Sequence, residues 1–183
     1  VAELAYRPAG RPPGEDPGLE ATVFFQPEGE MWSFGTVVAA VEVERETGCT
    51  RLTRLVWVDD AGTVVNPLLV EGQLHGSLAQ ALGQVFAEQV VYDAEGQLLT
   101  GTLMDYAVPR ADDLPVPVLG KTTTPSPRNP LGAKGVGEAG NIGVPPAVVN
   151  AVVDALAPLG VTALDMPLTP EKVWTAIARS GPP

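Results

Sequence analysis

The stretch GAKGVGEAGNIGVPPAVVN, residues 132–150, decides how the rest of this chain is read. Five glycines fall within twelve residues around a single acid, Glu138, and a Pro145–Pro146 pair then opens an apolar run. Glycine is used where backbone must approach another surface closely or take φ > 0, and it costs conformational entropy on folding. A run this dense around one carboxylate suits the presentation of that carboxylate to a bulky ligand. A flexible loop with a solvated Glu138 is the plain alternative. Gly135, Gly137 and Gly140 also satisfy G-x-G-x-x-G, the dinucleotide fingerprint. That motif needs a strand just before it and a helix just after. The preceding KTTTPSPRNPL cannot be a buried strand, and the expected helix waits until Pro145, so the dinucleotide reading is rejected.

Bulk properties narrow the class. A chain of 183 residues can bury one core or two small lobes. Twenty glycines and nineteen prolines are about a fifth of the chain, against roughly an eighth in ordinary domains. With 45% hydrophobic residues this composition is not disorder; it predicts a folded unit threaded by long ordered loops. A net charge of −11 argues against nucleic acid or an anionic membrane as partner. The lone Cys49 excludes an internal disulfide and suits a cytoplasmic protein. No apolar run reads as membrane-spanning. The first residue is Val, consistent with a piece of something longer.

Residues 1–20, rich in proline and glycine, read as an extended arm, and 21–183 as the folded segment. Residues 21–26 (ATVFFQ) are a short strand candidate. The β-branched runs 36–44 and 51–59 flank a Thr47–Gly48 turn and predict an antiparallel hairpin, with Cys49 a bystander. DDAGTVVNP at 59–67 reads as a turn-rich connector, not a cation site. The longest helical pattern runs over 70–89. Leu74, Leu78, Leu82 and Val85 form its apolar stripe. Gly72, Gly76, Ala79 and Gly83 form a stripe without bulk, and each interior glycine costs about 1 kcal/mol relative to alanine. Close packing on a backbone or a cofactor is the physical reason for such a stripe. Gln73 falls in the expected first turn, where its amide offers donors and an acceptor. His75 has no second His or Cys to make it a metal ligand. A short hairpin over 90–100 precedes a proline-rich loop over 101–131, of the length that is functional or partner-covered; its acids Asp105, Asp112 and Asp113 read as turn residues. Helices are predicted over 145–156 and 170–178, the latter capped by Thr169, with a strand possible at 163–165. The fold class is α+β: a mixed sheet with β-hairpins, two to three helices and long Pro/Gly-rich loops.

A carboxylate on a glycine-rich loop beside an apolar helix is expected to be partly desolvated and so suited to general-base work. No Ser–His–Asp set, Cys–His pair or zinc spacing accompanies Glu138, which says that a cofactor brings the reactive centre. Four strings supply a candidate: VVNPLLVEGQLHGSLAQALGQ, LTGTLMDYAVPRADDLP, TPSPRNPLGAKGVGEAGNIGVPPAVVNAVVDAL and MPLTPEKVW. Together they resemble the C-terminal part of the molybdenum-cofactor subunit of the xanthine dehydrogenase/aldehyde oxidase family, most of all the large subunit of aerobic carbon monoxide dehydrogenases. The resemblance implies a molybdopterin cofactor, in its cytosine dinucleotide form, carrying molybdenum in the complete subunit. It implies that Glu138 is the active-site base beside the metal. It implies that Gln73 hydrogen-bonds the cofactor, and that Lys134, Gly135, Val136 and Gly137 belong to the loop whose backbone touches it; no residue here ligates the metal. Implied partners are the rest of the molybdenum subunit, iron–sulfur and flavin subunits and a small-molecule substrate, with a homo-oligomer allowed. The family's other cofactor loops and the copper-holding cysteine loop are not found here. The alternative is therefore a non-catalytic binding or assembly module that keeps the fold without bound metal.

Overall fold

The computed structural model describes residues 2–7, 13–14 and 17–180. Its frame is the predicted hairpin, β1 (Phe34–Val43) paired antiparallel with β2 (Thr50–Asp60). At the turn, Gly48 has φ +74° and donates its N–H to the Glu44 carbonyl, and Glu44 N–H donates to Cys49. The pairing jumps from Ala40↔Arg54 to Val41↔Leu52, leaving Thr53 as an extra residue. Thr53 Oγ1 donates to the Ala40 carbonyl at 3.0 Å. This bulge lets Leu52 and Leu55, three residues apart, both face inward.

A third strand, β3 (Val118–Lys121), pairs parallel with β2 and completes a sheet of order β1-β2-β3. It lies inside the loop that the sequence left unstructured. Pro115 and Pro117 just before it cannot donate to a ladder, so only a four-residue edge strand forms. Residues 21–26, in contrast, form no strand. Phe24 is 96% exposed there, and β-propensity without a partner strand to pair with does not make sheet. Residues 163–165 are likewise not a strand, and 90–100 forms a turn with a single Tyr92↔Leu98 bridge, held by Asp93 Oδ1 accepting from Glu95 and Gln97 N–H and by Leu99 N–H donating to Val91.

Two long helices cover the inward face of the sheet. The first, α2 (Pro67–Phe86), follows a five-residue helix, α1 (Ala2–Tyr6), found within the expected arm; the rest of that arm's first eighteen residues is described only in part. The apolar stripe of α2 is buried as read: Leu74, Leu78, Leu82 and Val85. The second, α3 (Ala139–Leu156), packs on β1 and α2 through Val144, Val148, Val152 and Leu156. With the turn after it, α3 is long and apolar enough to span a bilayer by length and composition; its buried valines make it a core helix here.

The start of α3 corrects the sequence reading. The helix begins at Ala139, six residues before Pro145, so the Pro pair lies within it and two helical N–H donors are missing. Tertiary packing outweighs that loss: Gly140 meets α2, where a Cβ would stand 2.6 Å from Ser77 Cβ, and Pro145 itself is buried. A last helix, α4 (Pro170–Arg179), starts as predicted, with Thr169 Oγ1 accepting from Lys172 N–H at 3.3 Å. It buries Val173 and backs onto the hairpin turn.

That contact predicts a contrast between two glycines in the left-handed region. At Gly48 (φ +74°) a Cβ would stand 2.6 Å from Trp174 N, whereas at Gly160 (φ +86°) it would meet nothing within 4 Å. Gly160→Ala should cost only backbone strain, about 1–2 kcal/mol. Gly48→Ala adds a backbone collision and should lower the thermal midpoint well beyond Gly160→Ala; equal midpoints would disprove the hairpin–α4 contact.

Candidate functional site

The N-terminal halves of α2 and α3 converge over the end of β2, and the glycine-rich loop lies between them. Asn66 starts α2 earlier than the sequence reading allowed, its Oδ1 accepting from Leu69 N–H at 3.2 Å. Gln73 consequently sits in the second turn of α2, away from the free N–H groups of the helix start. It still reaches the loop: Gln73 Oε1 lies 3.2 Å from where a Cβ on Gly137 would stand. The structure thus brings Gln73 and Gly137 together although 64 positions separate them.

The small-residue stripe of α2 divides into two parts. Gly83 packs against Pro109, so it serves the protein's own packing. A Cβ at Gly72, Gly76 or Gly135 would meet nothing within 4 Å, which leaves open, bulk-free backbone near Gln73. Glu138 occupies the cap position of α3 with φ −103° and ψ −5°, and its side chain makes no capping bond. It is exposed rather than partly desolvated, because none of the described residues covers it. His75 is exposed on α2, and among the described residues no group of three His, Cys, Asp or Glu could hold a metal ion. Asp105 and Asp113 are turn residues, as read: Thr102 Oγ1 donates to Asp105 at 2.8 Å and Arg110 N–H to Asp113 at 2.9 Å.

The base of the loop is rigidly tied, and the tie was missed in the sequence. Asp60, taken for turn chemistry, is fully buried. It accepts from Gly62 N–H (2.9 Å), Thr122 Oγ1 (3.0 Å), Thr124 N–H (3.1 Å) and Lys134 Nζ (3.1 Å). Lys134 Nζ also stands 4.1 Å from the centroid of the Phe34 ring. The backbone follows: Lys134 N–H donates to Ala61, and Thr63 and Ser126 N–H both donate to Gly132. Val136 is partly buried against the core. Gly135, Gly137 and Glu138 are left to face outward. The Lys134 side chain is therefore committed to the fold, and only its backbone is available to a ligand. The sequence signal was two acids closing a β-branched run, VWVDD, where a strand should end in turn residues.

The residues matched by the molybdopterin cofactor-binding domain model are 1–115. The chain belongs to that family. It is 42% identical over 178 residues to the carbon monoxide dehydrogenase large chain of Hydrogenophaga pseudoflava, covering 97% of this chain and 22% of that one. It is 40% identical to the nicotine 6-hydroxylase large subunit of Paenarthrobacter nicotinovorans, covering 96% of this chain and 22% of that one. Among solved structures, quinoline 2-oxidoreductase from Pseudomonas putida 86 matches with a TM-score of 0.90 at 45% identity, over 96% of this chain and 22% of that chain. A Cu,Mo-CO dehydrogenase matches with a TM-score of 0.91 at 35% identity, over 98% and 22%. The α+β architecture is thus that of a molybdenum-enzyme large-subunit segment. The chain spans about a fifth of the length of these relatives.

The Asp60–Lys134 pair generates a test. Burial pushes the Asp60 carboxyl up, but the N–H groups of Thr124 and Gly62 and the Lys134 ammonium outweigh it and hold it well below the ordinary carboxylate range. A depressed folded-state value stabilises above the unfolded value and loses that stabilisation as pH falls through it, from about pH 4 downward. Lys134→Met strands a buried carboxylate, so it should lower the thermal midpoint at pH 7 and flatten the acid limb of the stability profile. Superimposable profiles for Lys134→Met and the parent would remove the pair from this account.

Proposed function

We propose that this chain is the C-terminal cofactor-binding part of a molybdenum hydroxylase large subunit of the carbon monoxide dehydrogenase type, with Glu138 as its base. The observation that carries the reading is the geometry at the head of α3. An uncapped, outward-facing carboxylate sits beside the Gln73–Gly137 contact, with open backbone at Gly72, Gly76 and Gly135. A ligand with a broad face and many polar edges fits that surface, since no Cβ at those three positions would meet protein atoms. A bound molybdopterin supplies the metal and its redox chemistry, which no side chain here can provide.

The roles of the chain's own residues follow. Glu138 makes no capping bond and is exposed among the described residues, so it can accept a proton from a group brought to it. Gln73 offers amide N–H donors and a carbonyl acceptor to the cofactor's edge. The backbone of Lys134, Gly135, Val136 and Gly137 forms the touching loop, kept in place by Asp60 from below. The cytosine dinucleotide form, iron–sulfur and flavin subunits and a small-molecule substrate complete the proposal and rest on the family resemblance, and a cytoplasmic setting rests on the lone Cys49. The alternative is a non-catalytic binding or assembly module that keeps the fold without bound metal.

Within the complete large subunit, Glu138→Gln keeps size and hydrogen bonding but cannot take the proton. Turnover should fall by about 10²–10⁴-fold with unchanged molybdenum content. Gln73→Ala should instead lower molybdenum content by elemental analysis. A fully metallated Glu138→Gln subunit turning over within a few-fold of the parent would make this carboxylate structural. A parent subunit without molybdenum would favour the assembly module.

A further inference from the structure

β2 directs Leu55, Trp57 and Asp59 toward the helices, and the first two are core residues. Asp59 is only 4% exposed, and its Oδ1 is buried with no hydrogen-bond partner. The nearby cation is already engaged, since Lys134 Nζ sits on Asp60. Burial first, and then the charge of Asp60, push the Asp59 carboxyl above its ordinary value, with Trp57 and Lys134 acting the other way. Trp57 supplies one hydrogen bond to the carboxyl, but a buried carboxylate oxygen left without a donor is costly, and a cation or strong donor brought to it removes that cost.

Asp59 stands in the wall of a small cavity on the β1 side, with Oδ1 itself closed off from solvent. Oδ1 lies 3.4 Å from where a Cβ on Gly35 would stand. Gly35, Phe34, Trp57, Ala139 and Ile142 help to line a cavity of about 90 Å³ with Asp59 in its wall. At about 30 Å³ per water, that volume admits a single ammonium or guanidinium head and nothing of cofactor size. Its rim is apolar yet uncovered: Phe34 is 55% and Ile142 73% exposed. Adjoining exposed apolar side chains of this kind mark a surface that other chain covers. The relatives extend to more than four times this chain's length, so chain able to cover the rim belongs to the same subunit.

We propose that the Asp59 cavity is a socket for a basic side chain, arginine or lysine, carried by another segment of the same large subunit. The inference rests on the reading of this chain as part of such a subunit. The ion pair formed there seats the first turn of α3, because Ala139 and Ile142 wall the socket and Glu138 immediately precedes Ala139. Asp59 is then a positioning residue: it holds the helix start that presents Glu138 and touches neither cofactor nor substrate.

The experiment compares amide exchange in the 183-residue chain and in the complete large subunit. Amides of residues 33–37 and 139–143 should slow by at least about ten-fold in the complete subunit. Asp59→Asn, which keeps shape and removes the charge, should lose that protection in both segments, and Asp59→Leu should do the same while filling the cavity. Equal exchange of the parent segments in the two settings overturns the socket, and that comparison needs no variant. Retained protection in Asp59→Asn or Asp59→Leu overturns the ion pair. Molybdenum content, measured on the same parent subunit, reports separately on the functional reading.

Discussion

The buried pair of Asp60 and Lys134 is the constraint from which the site follows. Two charges taken from water to 0% and 6% side-chain exposure gain little net stability over a well-packed apolar pair. What they provide is placement. Asp60 closes β2, and its four donors come from the turn after β2, from the segment after β3 and from the glycine-rich loop. One carboxylate therefore gathers three stretches of chain that no hydrophobic contact could align so closely. With Lys134 and Val136 held, residues 135 and 137–138 have a single way to face, which is outward beside Gln73.

The glycines divide the remaining labour by distance. Gly140 lets α3 approach α2 at Ser77, so the helix start descends toward the sheet and Val144 enters the core. Gly72 and Gly76 do the opposite, standing against open space on the same helix. An open surface thus lies next to a tightly packed crossing, on one side of α2. Glu138 lies on the open side of this division, in a chain whose relatives are several times longer.

Much of this was legible in the sequence, and the failures have physical causes. The β1–β2 hairpin, the apolar stripe of α2 and the Thr169 cap were read correctly because each signal is local: period two, period 3.6, a hydroxyl before Pro170. Glu138 stood out by its glycine-rich run and Gln73 by its place on the helix, the family resemblance giving each an expected role, and the structure brings Gln73 against Gly137 beside it. Prolines misled twice. Pro145 and Pro146 were read as a helix start, whereas burial of Val144, Pro145 and Val148 carries α3 through them. Pro115 and Pro117 concealed β3, whose pairing to β2 is non-local. Asp60 and Lys134 lie 74 positions apart, and no periodicity joins such residues. The G-x-G-x-x-G match was rejected rightly, but only half the reason survives: no strand leads into it, while a helix does follow at Ala139.

The central claim, that Asp60 and Lys134 fix the loop presenting Glu138, is tested most directly by amide exchange across residues 132–138 in Lys134→Met. The account predicts that these amides exchange faster than in the parent while those of α4 keep the parent's protection. Unchanged exchange over 132–138 in a folded Lys134→Met chain would contradict it.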